Sequence, residues 1–204
     1  MDDNNHEITW STGAIFDPVN DIGESNQFLN GKNNKIFFTS DTHFCHKNIL
    51  VYEAENRPFK DRDEMNEELI KRWNSVVGSD DIVFHLGDFS FGGFSIIKEI
   101  VSRLNGKIHL LLGNHDRYKH FDWENLGFAK VYDNPFMIDG KYILSHEPLN
   151  VIPDGKVNVY GHVHGSKYFN TVDSNRICVC VERWNCTPIE YDKIKELVGL
   201  EKNA

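Results

Sequence analysis

The sequence predicts a mixed α/β domain in which two mixed β-sheets pack together and helices flank them. Two observations carry this. In the first half, short apolar runs alternate with helical segments in the order β-α-β-α-β, which is the pattern of parallel strands joined by helices. In the second half, strand-like runs follow one another around an Asp139-Gly140 hairpin signal, and only the tail from Asp192 reads as helical. At 204 residues, 40% apolar and 26% charged, the chain suits one domain with one substantial core and is not of disordered composition.

Residues 1–35 are rich in Asn, Asp, Gly and Ser without a sustained period. They read as an extension that packs a few aromatics on the domain, with a substrate lid or a dimer contact as alternatives. Residues 36–204 are the expected catalytic domain. Lys35 to Ser40 is a buried strand. Asp61 is placed to cap a helix whose Met65, Leu69, Trp73 and Val77 form a core-facing stripe. Asp81 to Leu86 is the next strand. Ser95 to Leu104 is helical through Ile96, Ile97, Ile100, Val101 and Leu104, and Lys107 to Leu112 is a strand again. Tyr142 to Leu144, Val157 to Tyr160 and Ile177 to Val181 are the later strands. There is no internal repeat.

Composition excludes some partners. No run has the length of a membrane span, and the acidic, polar start is unlike a secretion signal, so cytoplasmic residence is expected. Cys45, Cys178, Cys180 and Cys186 contain no C-x-x-C pair and read as reduced, mostly core thiols. A net charge of -9 opposes binding along long nucleic acids, which relies on many Lys and Arg contacts to phosphate. A small anionic substrate stays compatible, because bound divalent cations reverse the local field.

Metal-competent side chains stand just after five of the strands: Asp41 and His43, Asp88, Asn114, His146, and His162 with His164. Loops beyond the carboxyl ends of parallel strands converge on one crevice, so these donors can meet. Imidazole, carboxylate and amide oxygen suit Mn, Fe, Zn or Ni. Seven donors exceed one tetrahedral zinc and suffice for two ions sharing a carboxylate. Gly87, Gly113 and Gly161 each precede a donor, where a missing Cβ permits a sharp turn or a close approach. Singly, Asp41, Asp88 and Asn114 could be turn residues and His146 a loop histidine. Jointly, that reading needs every one of them at a strand end by accident.

Asp41-Thr42-His43, Gly87-Asp88, Gly113-Asn114-His115-Asp116, His146 and Gly161-His162-Val163-His164 resemble, in order and separation, the motif series of the calcineurin-like metallophosphoesterases. His46-Lys47-Asn48-Ile49, Arg57-Pro58-Phe59, His85-Leu86-Gly87-Asp88-Phe89 and Trp184-Asn185 are similar to a small bacterial and phage subgroup of that superfamily. The likeness covers residues 36 to about 195, with Cys45 standing where that subgroup would have Gly.

The resemblance implies a four-layer sandwich and two divalent ions per chain, manganese favoured. One ion would take Asp41, His43 and His164, the other Asn114, His146 and His162, with Asp88 bridging. Water shared by two such ions has a lowered pKa and can attack phosphorus in line. His115 is then the general acid and Asp116 its orienting partner. His46, Lys47, Arg57, Arg117 and Arg183 are candidate substrate contacts. His6, His85, His109 and His120 read as surface, strand or supporting residues, and Trp73 and Trp184 as packing.

The expected reaction is hydrolysis of a phosphodiester such as a nucleotide or cyclic nucleotide. A phosphomonoesterase or protein phosphatase is the first alternative, a nuclease the next, and a non-catalytic metal-binding interaction module the alternative of another class.

Overall fold

A computed structural model describes residues 34–118 and 120–201. The extension read at residues 1–35, with His6, lies outside the described residues except for Asn34 and Lys35, as does the side chain of His120.

The first sheet has the order β10-β1-β2-β3-β4. Strands β1 (Ile36–Thr39), β2 (Ile82–His85), β3 (Lys107–Leu111) and β4 (Lys130–Tyr132) run parallel, and β10 (Ile189–Glu190) lies antiparallel to β1. The second sheet has the order β5-β6-β7-β9-β8. In it β6 (Tyr142–Ser145), β7 (Val157–Tyr160) and β9 (Arg176–Cys178) are parallel, while β5 (Phe136–Ile138) and β8 (Val172–Asp173) are antiparallel edges. The chain is therefore mixed α/β with two mixed sheets, as the strand and helix order predicts.

Side-chain alternation sorts the first sheet into two faces. Ile36, Phe38, Ile82 and Phe84 face the second sheet and pack with Phe136, Ile138, Leu144, Val159 and Ile177. Phe37, Val83, Ile108 and Leu110 face the other way, onto Met65, Leu69 and Trp73 of α2 (Arg62–Val76) and Ile97 and Ile100 of α3 (Phe94–Arg103). The α2 stripe is the one read from spacing, and the Asp61 carboxylate accepts the backbone N–H groups of Asp63 and Glu64 as the expected cap. Helix α5 (Tyr191–Glu201) adds Ile194 and Val198 to the core between the sheets. Two short helices, α1 (Ile49–Tyr52) and α4 (His120–Glu124), are the other α-helices among the described residues.

At the hairpin between β5 and β6, Asp139 and Gly140 both have positive φ, 52° and 55°, which matches the right-handed strand twist. The run Ile177 to Val181 departs from a plain strand. It pairs with β7 as far as Cys178, then Val179 donates to Tyr160 and accepts from Ser40, passing the chain from the second sheet to the first. Residues Val181–Trp184 turn into a 3-10 helix there. Among the described residues no helix is long and apolar enough to cross a membrane.

One pair of neighbours separates core from surface in α3. Ile97 is fully buried, whereas Ile96, read from spacing as part of the same stripe, is 47% exposed. Ile97→Ala is expected to lower unfolding free energy by about 2–5 kcal/mol, and Ile96→Ala by no more than about 0.5 kcal/mol. Urea unfolding of both variants checks this, and equal losses would contradict the packing.

Candidate metal centre

Each strand that carries a candidate donor ends at the same rim. The loop after β1 runs beside the loop after β2, with Asp41 N–H donating to the Gly87 carbonyl at 2.9 Å and His43 N–H to the Asp88 carbonyl at 3.0 Å. In the second sheet, Gly161 N–H donates to the His146 carbonyl at 2.9 Å. The two rims are joined where His162 N–H donates to Asp41 Oδ2 at 2.8 Å. Parallel neighbours within each sheet, plus hydrogen bonds between the sheets, thus bring five loops together.

The donors form two triads, Asp41 with His43 and His164, and Asp88 with His146 and His162. Asn114 joins the second, its Oδ1 lying 2.8 Å from His146 Nε2 and 3.0 Å from His162 Nδ1. Asp88 Oδ2 stands between the triads, 3.5 Å from His43 Nε2 and 3.6 Å from His146 Nε2. All seven residues named for this role from the sequence are therefore neighbours.

Local backbone geometry is unusual at these positions. Asp41, His43, Asp88, His162 and His164 have φ of 55°, 46°, 57°, 71° and 49°, the left-handed region that side chains other than Gly rarely adopt. Crowding explains the glycines: a Cβ at Gly87, Gly113 or Gly161 would strike His146, Asp88 or Asp41 respectively. Cys45 also has positive φ, 67°, which accounts for the glycine expected there. Its N–H is held by Asn66 Oδ1 at 2.9 Å.

The polar chemistry fits divalent ions. Among the described residues, Asp41 Oδ1 and both ring nitrogens of His43 are buried without a hydrogen-bond partner, as metal-directed donors are. Burial pushes the His43 imidazole down to about 2, leaving it neutral and able to give a lone pair. His146 Nδ1 lies 2.8 Å from the Leu86 carbonyl, so it is the protonated nitrogen and Nε2 faces the centre. Burial would raise the Asp41 carboxyl, but the His164 charge beside it, foremost, holds it below the carboxylate range. Burial leads the rise at Asp88, with the Asp41 charge adding to it and His146 opposing.

Glu182 is a site residue that the sequence reading missed. Its fully buried side chain places Oε1 at 3.0 Å from His164 Nδ1 and 2.6 Å from Arg57 Nη2. Burial would lower His164, yet the Glu182 hydrogen bond and the Asp41 charge hold it up at about 9. A carboxylate behind a ligating histidine fixes the ring and raises its basicity. The only sequence signal was its place in the Val181–Trp184 turn beside Trp184-Asn185.

Arg57, expected as a substrate contact, is corrected by this geometry. It is 1% exposed and spends its guanidinium on Glu182 and on the carbonyls of Asp41 and Thr42, at 2.5 and 2.9 Å. Arg183 is likewise turned inward, donating to the carbonyls of His164 and Ser166 at 2.7 and 2.6 Å. Asp116, expected to orient His115, instead accepts the backbone N–H groups of Asp88, Phe89 and Gly113 at 2.8, 3.0 and 2.8 Å. It clamps the Asp88 loop to the Gly113 loop. Burial pushes its carboxyl up to about 7 against those donors.

His115 is exposed, with its N–H on Asp88 Oδ1 at 2.8 Å and its ring 5.7 Å from that of His43. His46 stacks on Phe91 at 4.0 Å, and the Arg117 guanidinium lies 5.1 Å over the same ring. Lys47 is exposed. His85 contacts Thr42 Oγ1 at 2.9 Å and His109 the Tyr132 hydroxyl at 3.1 Å, so both support strands. Trp73 is in the core, and Trp184 Nε1 donates to the Cys178 carbonyl at 2.8 Å.

Two variants separate scaffold from substrate roles. Glu182→Gln is expected to weaken manganese binding about 10–100-fold, measured by titration calorimetry, and unchanged affinity would remove Glu182 from the centre. Arg57→Met should destabilise the fold by about 3–5 kcal/mol, because a buried carboxylate loses its counter-charge. A stable Arg57→Met protein with only a raised KM would restore the substrate-contact reading.

Comparison with known proteins agrees with this geometry. The family profile described as calcineurin-like phosphoesterase matches residues 34–190. An uncharacterized protein of Methanocaldococcus jannaschii is 37% identical over 175 residues, covering 80% of this chain and 91% of its own. The Gene 66 protein of Mycobacterium phage L5 is 30% identical over 197 residues, covering 80% and 93%. The crystal structure of an Aquifex aeolicus protein of unknown function superposes with a TM-score of 0.63 at 27% identity, covering 81% of this chain and all of that one. The chain belongs to the calcineurin-like phosphoesterase family, whose chemistry is the hydrolysis of phosphate esters.

Proposed function

We propose that this protein hydrolyses phosphodiesters with small substituents, such as nucleotides or cyclic nucleotides, using two divalent ions held by Asp41, His43, Asp88, Asn114, His146, His162 and His164. The observation that carries the reading is Asp88 Oδ2, one oxygen within 3.6 Å of a histidine nitrogen of each triad. Bound there, divalent ions, manganese favoured among Mn, Fe, Zn and Ni, would supply an acidified water and polarise phosphoryl oxygens.

The chain's own residues then have separable tasks. His115 is the proposed proton donor to the leaving oxygen: it is exposed at the rim, and its N–H bond to Asp88 Oδ1 ties its position to the centre. His46 and Arg117, both against Phe91, are proposed to hold the non-bridging oxygens. Burial, foremost, lowers His46 from the ordinary histidine range. Asp116 and the Arg57–Glu182 pair position ligands without meeting substrate. The net charge of -9 and free cysteines support a small substrate and a cytoplasmic setting.

The test uses manganese-loaded protein on bis(p-nitrophenyl) phosphate and p-nitrophenyl phosphate. Higher kcat/KM on the diester is expected. Preference for the monoester would favour a phosphomonoesterase, and turnover of neither a non-catalytic module. His115→Ala should lower kcat about 10²–10⁴-fold on an alkyl ester, whose leaving group needs a proton, with metal content retained. Equal rates on the alkyl ester would take His115 out of the reaction.

A further inference from the structure

The centre has two unlike flanks. Beside His43 stands a wall of the two imidazoles of His46 and His115 and the cationic Arg117 around the Phe91 ring. Beside Asn114, His146 and His162 opens a cavity of about 740 Å³ to which none of those four residues contributes. That volume lies within the range of about 300–1,000 Å³ usual for small-molecule sites.

The cavity's chemistry differs from the wall's. Its lining carries three carboxylates, Asp133, Glu147 and Asp173, against one guanidinium, Arg176. Arg176 is turned toward its own fold, with Nη2 donating to the Leu149 carbonyl at 2.9 Å. Phe169 and Tyr168 line it as well, and Tyr168 is 90% exposed, its ring open to a partner from solvent. Asn150 adds an amide, and Asn170 Nδ2 donates to Asp173 Oδ1 at 2.8 Å, leaving Asp173 Oδ2 toward the cavity's ligand.

We propose that this cavity seats the organic substituent of the phosphodiester, and that it takes an uncharged group bearing an aromatic ring and hydroxyls, the chemistry of a nucleoside with no further phosphate. This rests on the phosphodiesterase reading above. The aromatic ring stacks on Tyr168, since a base of any identity has a π-face. The sugar hydroxyls donate to the carboxylates, whose charge repels a second phosphate on that substituent. Negative charge on the substrate is confined to the wall of His46, His115 and Arg117.

Three manganese-dependent substrates test this: methyl p-nitrophenyl phosphate, thymidine 5′-(p-nitrophenyl phosphate), and the latter with a 3′-phosphate. The thymidine ester is expected to exceed the methyl ester in kcat/KM by about ten-fold, with the 3′-phosphate abolishing the gain and Tyr168→Ala reducing it by about the same factor. In parallel, thymidine binding to the metal-free chain is measured by calorimetry and should weaken in Tyr168→Ala. Cleavage of methyl and thymidine esters at equal rates, a gain that survives Tyr168→Ala, or enhancement by the 3′-phosphate overturns the assignment while leaving the hydrolytic reading in place. Thymidine binding that depends on Tyr168, with neither ester cleaved, overturns the hydrolytic reading and supports the cavity's chemistry. Absence of thymidine binding overturns the cavity assignment.

Discussion

The structure depends on one buried carboxylate being held at the junction of two sheets. Asp88 is 2% exposed, its Oδ1 is taken by the His115 N–H, and its Oδ2 looks at imidazoles from both triads. Burying such a group without compensation is expensive, and the structure answers with a fixed surround. Asp116 receives the N–H groups of Asp88 and Phe89 and of Gly113, so the loops after β2 and β3 are tied to each other. Asp41 reaches the second sheet through the His162 N–H, and Arg57 ties the carbonyls of Asp41 and Thr42 to Glu182. Removing any of these links exposes a charge or a peptide group that the core cannot solvate.

The same arrangement explains why five of the seven donors sit in left-handed backbone. A strand that ends in a donor must reverse direction at once, or its side chain follows the pleat away from the rim. Each such residue stores about 1–3 kcal/mol of conformational strain, which the loop-to-loop hydrogen bonds and the two cores beneath offset. Strain concentrated at donors, with α2 and α3 regular behind them, is the pattern of a rigid scaffold carrying a preorganised centre.

Sequence reading went far where a residue's role follows from its place on a strand. Asp41, Asp88, Asn114, His146 and His162 were legible because each follows an apolar run, and parallel topology then made them neighbours. The α2 stripe and the Asp139-Gly140 turn were legible because local spacing and φ requirements decide them. Strands β4, β5, β8 and β10 were not read, since two or three residues show no period and take their register from neighbours. Glu182 and Arg57 were beyond reach because their pairing spans 125 residues, and neither residue signals burial by itself. The family resemblance implies that Asp116 orients His115, whereas its carboxylate faces backward onto peptide N–H groups. A side chain's direction in a turn is set by φ and ψ, which sequence order alone does not supply.

On the proposed function, Asp88 is shared between two cations. Anomalous diffraction from a crystal grown with manganese should then show two peaks per chain, one within the Asp41, His43 and His164 triad, one within the Asn114, His146 and His162 set, and the Asp88 carboxylate bound to both. A single peak, or two peaks of which only one touches Asp88, would contradict it.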